Sequence, residues 1–184
     1  MSNISPIGRV SFPNIFKPKQ NDRGENVWSI VIIFDKKAQA SAEYKAMEEG
    51  IQSAAAERFG AKVPAGVKRK SLEPKSGYPI TLCETKPEWF AWAPEGSTMI
   101  TFSSKYAPVI IDRSKVEILD QAEVYAGQYG RVQWTTYAYD ASGNQGVSFG
   151  LRAYQKVKDG EALSGGKPDI ESFGDLSEDD VESF

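Results

Sequence analysis

Histidine is missing from these 184 residues, and cysteine occurs once, at Cys83. Without imidazole the chain cannot build a Ser/His or Cys/His nucleophilic pair or a His-based metal cluster, which removes most hydrolase chemistries. Gly146-Val147-Ser148-Phe149-Gly150 has the G-x-S-x-G form of a nucleophile elbow, yet no histidine could take the Ser148 proton, so the stretch reads as strand. Gly60 and Gly66 loosely frame a P-loop, but the spacing is too long and Val67 stands where lysine belongs. A single thiol forms no internal disulfide. No apolar run approaches the roughly 20 residues that span a bilayer, and Met1 to Arg9 lacks the basic start and apolar stretch of a signal peptide. The expectation is a soluble chain that stays inside the cell, without metal or cofactor.

What is present is a segregation of charge. The formal net charge is -3, from 22 Lys+Arg and 25 Asp+Glu. Seven of the acids fall in residues 169–184, which hold no base, so residues 1–168 carry about +4. Ser164-Gly165-Gly166-Lys167-Pro168 reads as a flexible linker between a mildly basic body and an acidic tail. The domain boundary is therefore expected at 163/164, with a folded domain over 1–163 and a disordered segment over 164–184. Phe173 and the terminal Phe184 are bulky apolar residues that a purely solubilising tail would not need.

In the body, Ile7 to Phe16 and Val27 to Phe34 are rich in β-branched and aromatic residues and flank a turn-forming stretch carrying Lys17, Lys19 and Arg23, which predicts a hairpin. Tyr44, Met47, Ile51, Ala55 and Phe59 recur at helical spacing, with Gly60 placed to end the helix. Residues 61–96 are irregular and proline-rich. They include the basic run Lys68-Arg69-Lys70 and the cluster Trp89, Phe90 and Trp92, which either fills core or stacks on a ligand. Met99 to Ser103 and Val109 to Ile111 read as strands. The clearest pattern is last: Arg131 to Tyr139 and Val147 to Lys156 alternate around a turn, predicting a second hairpin. Strict alternation puts Val132, Trp134, Ala138, Val147, Phe149, Leu151 and Ala153 inside a barrel. It puts Arg131, Gln133, Thr135, Tyr137, Tyr139, Ser148, Arg152, Tyr154 and Lys156 outside.

An outward sheet face that interleaves tyrosines with bases suits single-stranded nucleic acid, because every base offers a π-face and every phosphate attracts a cation. The competing possibility is that the tyrosines are cross-strand aromatic pairs under a loop. The residues expected to stack are Tyr137, Tyr139 and Tyr154, then Trp89 and Tyr106. The expected phosphate contacts are Lys17, Lys19, Arg23, Arg131, Arg152 and Lys156, then Lys68, Arg69 and Lys70.

The order of a hairpin ending in Phe34-Asp35-Lys36, one helix, Tyr137-Ala138-Tyr139, the stretch Gly143 to Leu151 and Val157-Lys158-Asp159-Gly160-Glu161 resembles the single-stranded-DNA-binding proteins of tailed bacteriophages. The resemblance implies a mainly β fold: a five-stranded OB barrel with one inserted helix. It also implies coating of single strands in replication, recombination and repair, in the cytoplasm of an infected bacterial host. By the same resemblance Asp175, Glu178, Asp179, Asp180, Glu182 and Phe184 would contact the replicative polymerase and helicase, and the tail would compete with DNA for the basic groove. A homodimer is compatible with the sequence. The alternative is a phage adaptor that binds other proteins; a metal-dependent nuclease has little support, since the body holds no tight carboxylate cluster.

Overall fold

The computed structural model describes residues 3–141, 143–163 and Ser177. Seven strands form one sheet: β1 Gly8–Gln20, β2 Asn26–Phe34, β3 Ile80–Leu82, β4 Thr98–Ser104, β5 Val109–Ile111, β6 Tyr129–Ala141 and β7 Asn144–Lys158. The sheet order is β3-β4-β2-β1-β6-β7-β5, and a further parallel pairing of β4 with β7 closes it. Five strands, β1, β2, β4, β6 and β7, thus make the closed barrel, with β3 and β5 added to its edges. This is the expected five-stranded barrel. Closure removes the unpaired strand edges along which an open sheet would aggregate.

The interior is assembled from one side of each strand. Ile30, Ile32 and Phe34 of β2, Ile100 and Phe102 of β4, Trp134 of β6 and Phe149 and Leu151 of β7 share one buried cluster. Apolar burial stabilises at roughly 25 cal/mol per Å², which makes this cluster the main source of the fold's stability. Among the described residues four α-helices lie between the strands, one long and three of a single turn: α1 Lys36–Gln39, α2 Ala42–Phe59, α3 Ala65–Lys68 and α4 Pro87–Phe90. The one predicted helix is divided at its start: Asp35 caps α1 through Ala38 N, and Ser41 caps α2 through Tyr44 N. Tyr44, Met47, Ile51 and Ala55 of α2 are buried in the barrel cluster, and the helix ends at Gly60, whose φ of 57° suits glycine. Gly50 lets α2 approach the barrel closely, since a Cβ there would stand 3.0 Å from the Trp134 ring.

A second, smaller core lies on the outside of the sheet. Val31 and Ile33 face away from the barrel interior and pack with Cys83 and Phe90, with Trp92, Ala93 and Met99 against them. Residues 83–93 therefore act as a flap over the outer face of β2 and β4. The single thiol belongs to this core, where burial pushes its pKa up to about 12 and leaves it unreactive.

Candidate nucleic-acid interface

The register of the closed sheet sets out the outer surface residue by residue. Asn14 pairs with Ser29, Ser29 with Ser103, Ser103 with Gly150, and Gly150 with Thr135. Each of these side chains is half-buried, so small residues form a smooth row around the barrel from β1 to β6. A Cβ on Gly150 would run into Thr135 Oγ1, so glycine keeps this row close-packed.

Strand direction then sorts what flanks the row. On one side come Lys17 and Lys19 along β1, Arg152 along β7 and Arg131 along β6, all exposed. Arg23 lies exposed in the turn beyond Lys19. Among the described residues no ion pair engages Lys17, Lys19, Arg23 or Arg152; Arg131 donates to Gln155 Oε1 at 2.8 Å. On the other side come aromatic rings, with Tyr137 46% exposed and Tyr139 half-buried on β6. Phe12 on β1 has a φ of 44°, unusual for a bulky residue, and lies within the register shift of β1 against β2 between Ser11 and Asn14. The irregularity brings its ring out against Trp89, at 6.0 Å between centroids, and Phe90, at 6.2 Å. Trp89 is 53% exposed and carries the Lys86 ammonium 5.3 Å above its ring. Tyr106, 82% exposed, lies on the cationic side in the loop after β4. Next to it, Lys105 pairs with Glu25 at 3.0 Å and ties that loop to the β1–β2 turn. A hydrogen bond from Asn21, with that pair, holds the Glu25 pKa below the usual carboxylate value.

One expected site residue is overturned. Tyr154 is fully buried, its hydroxyl donating to Gln128 Oε1 at 2.6 Å, and burial drives its pKa far up. The cause is a bulge: Gln133 pairs with Ala153 but Trp134 with Leu151, leaving Arg152 as an extra residue. An inserted residue reverses the inside–outside parity of everything beyond it. Tyr154 therefore turns into the barrel and Ala153 turns out, the reverse of the strict alternation. Gly130 accommodates the inward ring, for a Cβ there would collide with it.

The same inversion changes the setting of Lys156. Its side chain is 14% exposed, and its ammonium pairs with Asp159 at 3.0 Å and Glu123 at 3.3 Å. Burial opposes its charge, but the hydrogen bonds to the two carboxylates outweigh that and its pKa is raised. Its charge is already balanced within the fold. The run Lys68-Arg69-Lys70 lies beside α2, where Lys70 shares a shallow hollow with Lys45, Glu48 and Glu49, so the structure does not bring it to the cationic side of the row. The tail residues Asp175, Glu178, Asp179, Asp180, Glu182 and Phe184 lie outside the described residues.

The aromatic cluster divides by residue: Phe90 is core, Trp92 is half-buried and Trp89 is presented to solvent. Sequence reasoning missed Phe12, Arg9 and Lys86 as members of the surface. Phe12 had a detectable signal, an aromatic residue before Pro13 in a strand that proline would disturb; Arg9 and Lys86 had none.

A family model described as Enterobacter phage Enc34, ssDNA-binding protein, matches residues 4–183. The chain belongs to this Enc34 ssDNA-binding family. Protein p50 of Acyrthosiphon pisum secondary endosymbiont phage 1 is 28% identical over 171 residues, covering 92% of this chain and 90% of p50. The single-stranded DNA-binding protein from bacteriophage Enc34, solved in complex with ssDNA, superposes with a TM-score of 0.71 at 20% identity, covering 88% of each chain. The gp2.5 single-stranded DNA binding protein of bacteriophage T7 superposes at 0.61 with 14% identity, covering 88% of this chain and 93% of gp2.5. At these identities the superpositions establish a shared fold, and the Enc34 family match establishes the relationship.

Proposed function

We propose that this chain is a phage protein that binds single-stranded DNA with little sequence preference along the outer belt of its barrel. The observation that carries this is the sorting of the belt: a floor of small residues with cations on one side and exposed rings mainly on the other. A single strand has the matching asymmetry, phosphates along one edge and unpaired bases along the other. Tyr137, Tyr139, Trp89 and Phe12 are the stacking groups, each able to contribute about 1–3 kcal/mol without reading sequence. Lys17, Lys19, Arg23, Arg131 and Arg152 are the phosphate contacts, with Tyr106 on the same side. Membership of the Enc34 family supports the reading, as does the fold shared with a protein solved on ssDNA.

The biological setting that follows is coating of single strands during phage replication, recombination and repair, in the cytoplasm of the infected host. Residues 169–184 are assigned to recruitment of replication partners such as a polymerase or helicase. As a tethered polyanion, the segment would also occupy the cationic side of the belt until DNA, with more phosphates, displaces it.

Fluorescence anisotropy with labelled dT oligomers, duplex DNA and RNA tests the reading. Single strands should bind far more tightly than duplex, with affinity falling with salt at a log-log slope near -0.7 per phosphate contact. Indifference to single strands would overturn it. Deleting residues 169–184 should tighten DNA binding; unchanged or weaker affinity would remove the competing-tail role and leave the belt intact.

A further inference from the structure

The stagger of a closed barrel pairs Arg9, near the start of β1, with Tyr129 at the start of β6, beside the far end of β7. At this junction is a cavity of about 120 Å³ bordered by Arg9, Trp92, Tyr129, Asp35 and Ser97. It is too small for a drug-sized ligand and in keeping with one planar ring system. The Arg9 guanidinium lies 4.9 Å from the Trp92 ring centroid and 5.9 Å from that of Tyr129, and the Lys158 ammonium lies 4.8 Å from the Tyr129 centroid. Arg9, Trp92 and Tyr129 thus border one slot, and Lys158 lies over the Tyr129 ring outside its lining.

The slot is held in place. Arg9 Nε donates to Gly127 O at 3.2 Å and one terminal nitrogen to Glu161 O at 2.8 Å. Of the five donors of a guanidinium, three have no hydrogen bond among the described residues. The Ser97 hydroxyl is fully buried and has no hydrogen-bond partner among the described residues. Asp35 Oδ1 accepts from Ala38 N, and its carboxylate adds acceptor capacity to the same wall. A buried hydroxyl without a partner is costly, and Ser97 is one of the residues that border the cavity.

We infer that this slot takes one nucleotide of the bound strand, its base stacked on Trp92 and Tyr129 with its polar edge towards Ser97 and Asp35, and its phosphate at Arg9 and Lys158. It would extend the belt beyond the platform of Phe12 and Trp89, whose rings lead to Trp92 through Phe90. The inference rests on the single-strand reading given above, and its test separates the two.

Photocrosslinking of the full chain to an oligonucleotide containing 5-iododeoxyuridine at successive positions, with peptide mapping, reads the slot directly. Adducts on Trp92 or Tyr129 support it; adducts confined to Trp89, Tyr137 and Tyr139, with anisotropy still reporting tight binding, overturn it and spare the belt. In parallel, Lys158→Gln alters an exposed lysine and should lower the salt slope by about 0.7. An unchanged slope would overturn the phosphate assignment. Loss of all oligonucleotide binding by the wild-type chain would remove both the slot and the belt.

Discussion

Tyr137 and Tyr154 occupy the two strands of one hairpin, and by strict alternation both belong outside. One is 46% exposed beside the small-residue row; the other is fully buried, hydrogen-bonded to Gln128 and packed over Gly130. Between them the register slips by one residue at Arg152. Chemically alike residues therefore have opposite work, one as a surface ring and one as core. A strand's pattern fixes which residues share a face only between bulges, and a bulge is a property of the pair of strands.

The largest effect expected from breaking this comparison comes from Tyr154→Ala. Removing a fully buried ring should cost about 3–5 kcal/mol of stability, read as a lowered urea midpoint, with DNA affinity per folded molecule unchanged. A normal midpoint with weakened binding would return Tyr154 to the surface.

Alkaline pH probes the same residue more gently. Burial raises the folded-state pKa of the Tyr154 phenol above its ordinary value near 10. The unfolded chain therefore loses that proton first, so stability is fully present below about pH 10 and declines as pH rises through the folded pKa. Tyr154→Phe should flatten this decline between pH 9 and about 11 in denaturant titrations.

Tyr137→Ala should do the reverse of Tyr154→Ala, weakening single-strand binding by about 1–3 kcal/mol while shifting stability by no more than about 0.5 kcal/mol. Isothermal titration paired with thermal melts would distinguish the two positions. The smallest effect sharpens the same point with charges. Arg152→Gln should reduce the salt slope by about 0.7, but Lys156→Gln should leave it nearly unchanged, because Lys156 is already paired with Asp159 and Glu123. Equal slope changes would place both residues on the phosphate path.

Much of the architecture was legible beforehand. The helical stripe Tyr44, Met47, Ile51 and Ala55 is buried as its spacing predicts, since helix periodicity depends only on neighbours along the chain. Both hairpins appear where β-branched runs flank turn residues, and Ser148 lies in β7. The flap over residues 83–93 was not legible, because Phe90 becomes core only when Val31 and Ile33 of β2 lie beneath it. Nor was the cluster of Arg9, Trp92, Tyr129 and Lys158, whose members are brought together by the barrel's stagger across more than a hundred residues of chain.

The linear order of amino acids by itself determined the absence of imidazole chemistry, the division into a basic body and an acidic end, and the periods that make strands and one main helix. These are local or additive quantities. Tertiary structure alone decided which tyrosine faces outward, which lysine keeps its charge for a partner, and which rings meet across strands. Those outcomes depend on register and closure, which couple residues far apart in the chain, and a single inserted residue is enough to reverse them.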